Sequence, residues 1–205
     1  MSADTPKKSQ RGSGRRRWAL LLGLAVVAAA CSGSALTTSA YFDRVGESTA
    51  TLDQAMDDLG ATYKADLNTS IDTLRLEHDL EDRSELAAFV KDLTEIAISK
   101  TIVWLDASTQ PLRDFLEALQ TTDPPQDMRA GHDALIDATQ RALSALPDTM
   151  EQVRQVSTID DLAVVVENSS FAKATETLRG VCSALQTVAQ DEGIEQTLEC
   201  FSDAE

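Results

Sequence analysis

From Phe42 onward the apolar positions of this chain recur every three or four residues. Phe42, Val45, Leu52, Met56, Leu59, Tyr63, Leu67, Ile71 and Leu74 keep that step, with Thr49 filling one place. Such a row is one face of a long helix. It stops in the polar stretch EHDLED at 77–82. Gly46 and Gly60 weaken the helix, so bends are expected there. Asp82 with Glu85 three residues on reads as a capping box for a second helix. Its apolar face runs Leu86, Phe89, Val90, Leu93, Ile96 and Ala97 to Trp104. Pro111 then marks either a kink or a fresh start through Leu112, Phe115, Leu116 and Leu119. TTDPP at 121–125 is a clear breaker.

The third helix is the most regular, with Met128, His132, Leu135, Thr139, Ala142 and Leu146 on one face. Pro147 interrupts it before Met150, Val153 and Val156 carry on. Thr158 with Asp161 can cap a short helix through Leu162 and Val165, and LAVVVE reads as a buried helix face. Phe171, Ala174, Leu178, Cys182, Leu185 and Ala189 line the last helix. No stretch alternates convincingly with period two. The pattern predicts an all-α fold: an antiparallel four-helix-type bundle, up-down-up-down, with kinked helices.

The N-terminus follows another rule. WALLLGLAVVAAACSGS, residues 18–34, is apolar, preceded by arginines and closed by small residues and a cysteine. Trp18 to Ala30 is 13 residues, only ~20 Å as a helix against ~30 Å of hydrocarbon. A short apolar core with a basic lead and a small-residue exit is the signal-peptide design. Ala30-Cys31 resembles a bacterial lipoprotein signal, which implies that Cys31 becomes the first mature residue and carries the lipid. Two other readings stay open: an uncleaved anchor extended to Tyr41 and Phe42, and plain secretion after a cut at Ala28-Ala29-Ala30. The division expected is a signal peptide or membrane segment at 1–30, a flexible Ser/Thr/Gly/Ala-rich tether at 31–40 and a helical domain at 41–205.

Charge separates the same parts. The first 30 residues hold six Lys and Arg against Asp4, whereas the remainder holds twelve against 33 Asp and Glu, a net of −21. A basic lead suits the cytoplasmic flank of a membrane segment. The acidic remainder disfavours nucleic acid, since nothing there neutralises phosphates. The expected address is the outside of the cell membrane, in a bacterial envelope.

Three cysteines is an odd number for an exported chain. With Cys31 acylated, Cys182 and Cys200 remain as a pair. A helix through Cys182 would stop near Gly193, which can take the left-handed position, with Ile194 following. The seven residues from Ile194 to Cys200 extend up to ~23 Å, enough to fold back alongside that helix. A Cys182–Cys200 disulfide tying the tail to the last helix is therefore expected.

Candidate chemistry is sparse. His132 lies on the apolar face of the third helix, where a boundary or hydrogen-bonded core histidine is the ordinary explanation. His78 sits in LEHDLEDRSE, where Glu77/Glu81 and His78/Asp82 are each four apart and would share helix faces. These four are weak metal candidates, and a solvated turn explains them better. The residues three before His78 and His132 are Arg75 and Arg129, so the paired Glu-x-x-His of a di-metal bundle is missing. No nucleophile elbow, glycine-rich phosphate loop or HExxH is present. Asn68-Thr69-Ser70 and Asn168-Ser169-Ser170 match the glycosylation sequon and read as accidental behind a bacterial-type leader.

The LEALQTTDPPQDMRAGHDAL turn and the CSALQTVAQDEGIEQTLEC tail, behind this leader, resemble the small uncharacterised helical lipoproteins of bacterial envelopes. The resemblance implies structure and address but no activity. The expected function is non-enzymatic and free of cofactors: an extracytoplasmic protein with an interaction or structural role in the cell envelope, held to the membrane by its N-terminal lipid or apolar segment, with an unidentified envelope protein as its expected partner. The alternative is an extracytoplasmic ligand-binding or sensory module with its site between helices.

Overall fold

The structure, a computed structural model, describes residues 36–198 together with Cys200 and Phe201. Cys31, the 1–30 segment and residues 31–35 of the expected tether lie outside the described residues. Six helices follow one another: α1 (Thr38–Glu77), α2 (Arg83–Ala107), α3 (Thr109–Gln120), α4 (Arg129–Arg154), α5 (Ile159–Glu167) and α6 (Ser170–Asp191). No strand occurs among the described residues.

The last three residues assigned to the tether belong to α1. Thr37 is its cap, accepting from the Ala40 N–H at 3.3 Å, and Tyr41 and Phe42 are fully buried one turn later. The 40 residues of α1 make a rod of ~60 Å. It is one continuous helix through both Gly46 and Gly60. Gly46 has another purpose: a Cβ there would lie 2.2 Å from the side chain of Gln196, so the C-terminal tail crosses α1 at that point.

Asp82 caps α2, accepting from the Ser84 and Glu85 N–H groups at 2.7 and 3.4 Å. α2 and α3 meet at Ser108, whose N–H and hydroxyl both donate to the Trp104 carbonyl. Pro111 sits in the first turn of α3, where a missing N–H is tolerated; the fresh start is what forms. Pro147, by contrast, does not interrupt α4, which runs through it. Thr158 caps α5 as expected, accepting from the Asp161 N–H at 3.1 Å. LAVVVE is covered along one side only, with Val165 and Val166 partly buried against the core. Only Leu162 is buried and Val164 is 58% exposed, because α5 rests one side on α4 and α2.

Cross-contacts establish the antiparallel order. Asp66 meets Lys100 and His78 meets Asp92 across α1 and α2. Thr149 meets Ser170 across α4 and α6, while Gly131 faces Leu185 at the other end of the same pair. α4 is the central rod, touching α2, α3, α5 and α6. The core holds Tyr41, Phe42, Leu105, Leu112, Leu135, Leu146 and Leu178, each at most 1% exposed. Beyond Met56 the next buried residue of α1 is Leu74, so the far halves of α1 and α2 form a hairpin with little else around it.

The tail closes the fold. Gly193 takes φ 71°; its N–H donates to the Gln190 carbonyl and that of Ile194 to the Ala189 carbonyl, at 3.0 and 2.8 Å. This two-bond cap turns the chain back. Cys182 and Cys200 are then joined in a disulfide with their Cα atoms 6.1 Å apart, and both are buried.

Candidate functional site

His78 ends α1 as its C-cap. That ending removes the helical spacing on which the metal reading of Glu77, His78, Glu81 and Asp82 depended. His78 takes its partners from α2 instead: Nδ1 lies 2.9 Å from Glu85 Oε2 and Nε2 3.2 Å from Asp92 Oδ2. Glu77 and Glu81 are exposed, and Asp82 is spent on its cap, which holds its carboxyl below the usual range through the Ser84 hydroxyl and backbone bonds. Among the described residues no group of three or more His, Cys, Asp or Glu is arranged to hold a metal. With a carboxylate at each ring nitrogen, His78 favours the imidazolium; the Glu85 bond is the largest cause of its raised pKa.

His132 is buried in the core, its ring edge-on to Tyr41 at 5.7 Å, with Nδ1 3.4 Å from the Tyr41 hydroxyl. Burial lowers its pKa against the opposing pull of the Leu119 backbone and Asp133. Burial, with Asp133 adding to it, pushes the Tyr41 phenol up to about 12. This is a neutral, shielded pair.

An apolar feature with room for a ligand lies elsewhere. α5 packs on α4 and α2, and between it and the α1–α2 pair is an open groove of about 530 Å³. Gly60, Tyr63 and Leu67 line it from α1, Ala97, Thr101 and Trp104 from α2, and Ile159, Leu162, Ala163, Val166 and Glu167 from α5. A volume of this size suits a small organic molecule. The Tyr63 hydroxyl is engaged with Thr101 Oγ1 at 3.3 Å, and the Tyr63 and Trp104 rings lie 6.4 Å apart. A Cβ on Gly60 would meet no atom within 4 Å, so the glycine leaves that wall open. Ile159, an apolar side chain, is 41% exposed.

Trp104 is held from behind by an edge contact to Phe171 at 6.1 Å. Its Nε1–H is sealed from solvent and meets no acceptor, an arrangement that costs about 1–3 kcal/mol. Since the groove is open and that atom is enclosed, the N–H points away from the open space. A ligand meets the indole carbons.

The groove was not legible in the sequence, which showed Trp104 only as the end of an apolar face. In α2, Ile98, Ile102 and Val103 put apolar residues outside the stripe read from the sequence, but the groove is lined by Ala97, Thr101 and Trp104. Comparison with family models, curated proteins and solved structures found no match to this chain. Among the described residues no helix is long and apolar enough to cross a membrane.

Proposed function

We propose that this chain is a non-catalytic, membrane-anchored extracytoplasmic module that binds a small apolar ligand in the groove between α1, α2 and α5. The observation that carries the reading is the groove itself: apolar walls from three helices, two aromatic rings and a wall left open at Gly60. The leader at 18–31 supports an outward address, as does the Cys182–Cys200 disulfide, a bond favoured in oxidising compartments. Nile red, a neutral apolar probe, should gain emission saturably with the full chain and lose that gain in Gly60→Phe. Equal emission with both proteins would remove the groove from the proposal. Lipid attachment is tested separately by the mass and membrane retention of Cys31→Ala. Loss of a lipid-sized mass is expected; unchanged mass and retention would count for an uncleaved anchor.

The second reading is docking of an envelope protein. It is favoured by Leu76, Leu80, Leu86 and Val90, which are 41–89% exposed around the α1–α2 turn. Replacing Leu86 and Val90 by Lys should then abolish cross-linking to that partner; an unchanged cross-link would discard this surface.

A further inference from the structure

Resting on the groove reading above, we infer that the ligand is a lipophilic organic cation, with its apolar body against Trp104 and Tyr63 and its positive charge toward Glu167. Three features of the groove point the same way. Among the described residues, Glu167 is the one charged residue in its lining. It is also the last residue of α5, where the helix dipole adds partial negative charge. The two aromatic rings present carbon surface, because the Trp104 N–H is enclosed and the Tyr63 hydroxyl is engaged with Thr101. Such faces attract cations within about 6 Å of the ring centroid.

The surroundings reinforce this preference. Lys100, the residue before Thr101, is ion-paired with Asp66 at 2.9 Å, and Lys64, beside Tyr63, is exposed and outside the lining. Residues 31–205 carry a net of −21, a field that concentrates cations at the surface and repels anions. A carboxylate-headed amphiphile of the same length would bring like charge to Glu167 and gain nothing from the rings. The groove therefore separates amphiphiles by the sign of the head as well as by the tail.

The test uses the full chain carrying Trp18→Phe, so that Trp104 is the single tryptophan of the two. Its emission is titrated with decyltrimethylammonium, decyl sulfate and decyl maltoside, which share a tail and differ in head charge. The ammonium should saturate the signal at about tenfold lower concentration than either of the others. Glu167→Gln, a change at an exposed position, should erase most of that preference and leave maltoside binding in place. Gly60→Phe should remove all three responses, with far-UV circular dichroism confirming that the helices are retained. If sulfate or maltoside binds as tightly as the ammonium, the cation inference is overturned while the groove survives. If none of the three saturates, or Gly60→Phe changes nothing, the groove reading falls with it.

Discussion

His132 and His78 show how two identical side chains acquire opposite behaviour from their neighbours. His132 is enclosed with Tyr41, and burial lowers its pKa. Its contribution to stability is present above the unfolded value of about 6.5 and is lost as pH falls toward the lowered folded value. His78 lies between Glu85 and Asp92, and its pKa is raised. Its contribution is complete below about pH 6.5 and is lost as pH rises through the raised folded value. His78→Gln should therefore lower the urea midpoint most near pH 6 and converge on the parent at alkaline pH. A gap that widened with rising pH would contradict this sign. The buried position of His132 was readable from its place in the row with Leu135 and Thr139. The partners of His78 were not, because Glu85 and Asp92 are 7 and 14 residues away and come near only when the hairpin closes.

Helix boundaries were the best-read features, because caps are local chemistry. Asp82, Thr158 and Gly193 stand where short-range hydrogen bonding and a left-handed backbone require them. Asp82→Ala should cost about 1 kcal/mol in denaturant unfolding, by leaving the first N–H groups of α2 without their acceptor. Gly193→Ala should cost a similar ~1 kcal/mol, because φ 71° crowds a Cβ. Indifference of both variants would mean that these caps fray freely in solution. The errors at this scale concern what lies beyond the helix. LAVVVE was read as a buried helix face, but only Leu162 is buried there, with Val165 and Val166 partly covered and Val164 exposed. The break expected at Pro147 does not occur, since packing on both sides of α4 outweighs one missing hydrogen bond.

At the scale of the molecule, the C-terminal tail acts as a strap. It turns back at Gly193, crosses α1 at Gly46 and is held by the disulfide and by the Leu198 N–H donating to Gln186 Oε1 at 2.6 Å. The bridge closes a loop with a sequence separation of 18, for which chain entropy suggests about 3 kcal/mol. Reduction, or Cys200→Ser, should lower the melting temperature by roughly 6–12 °C. A change under about 2 °C would show that the tail's other contacts hold it without the bond.

The face read for α2 was displaced, since Leu86 and Val90 are exposed while Thr94, Ala97, Thr101 and Leu105 are buried. The sequence by itself determined the helical class, the caps at Asp82, Thr158 and Gly193, the faces that α1, α4 and α6 turn inward and the pairing of Cys182 with Cys200. These depend on periodicity, capping and chain reach, all of which act over a few residues. Only the tertiary structure decided that His78 would be bracketed by α2, that Gly46 would admit Gln196 and that α5 would stand off from α1. Each of those is a distance between residues far apart in the chain, and it exists only once the rods have packed. The groove at Gly60, Tyr63, Trp104 and Glu167 is a gap of that kind, lined by residues from three helices that are distant in the chain.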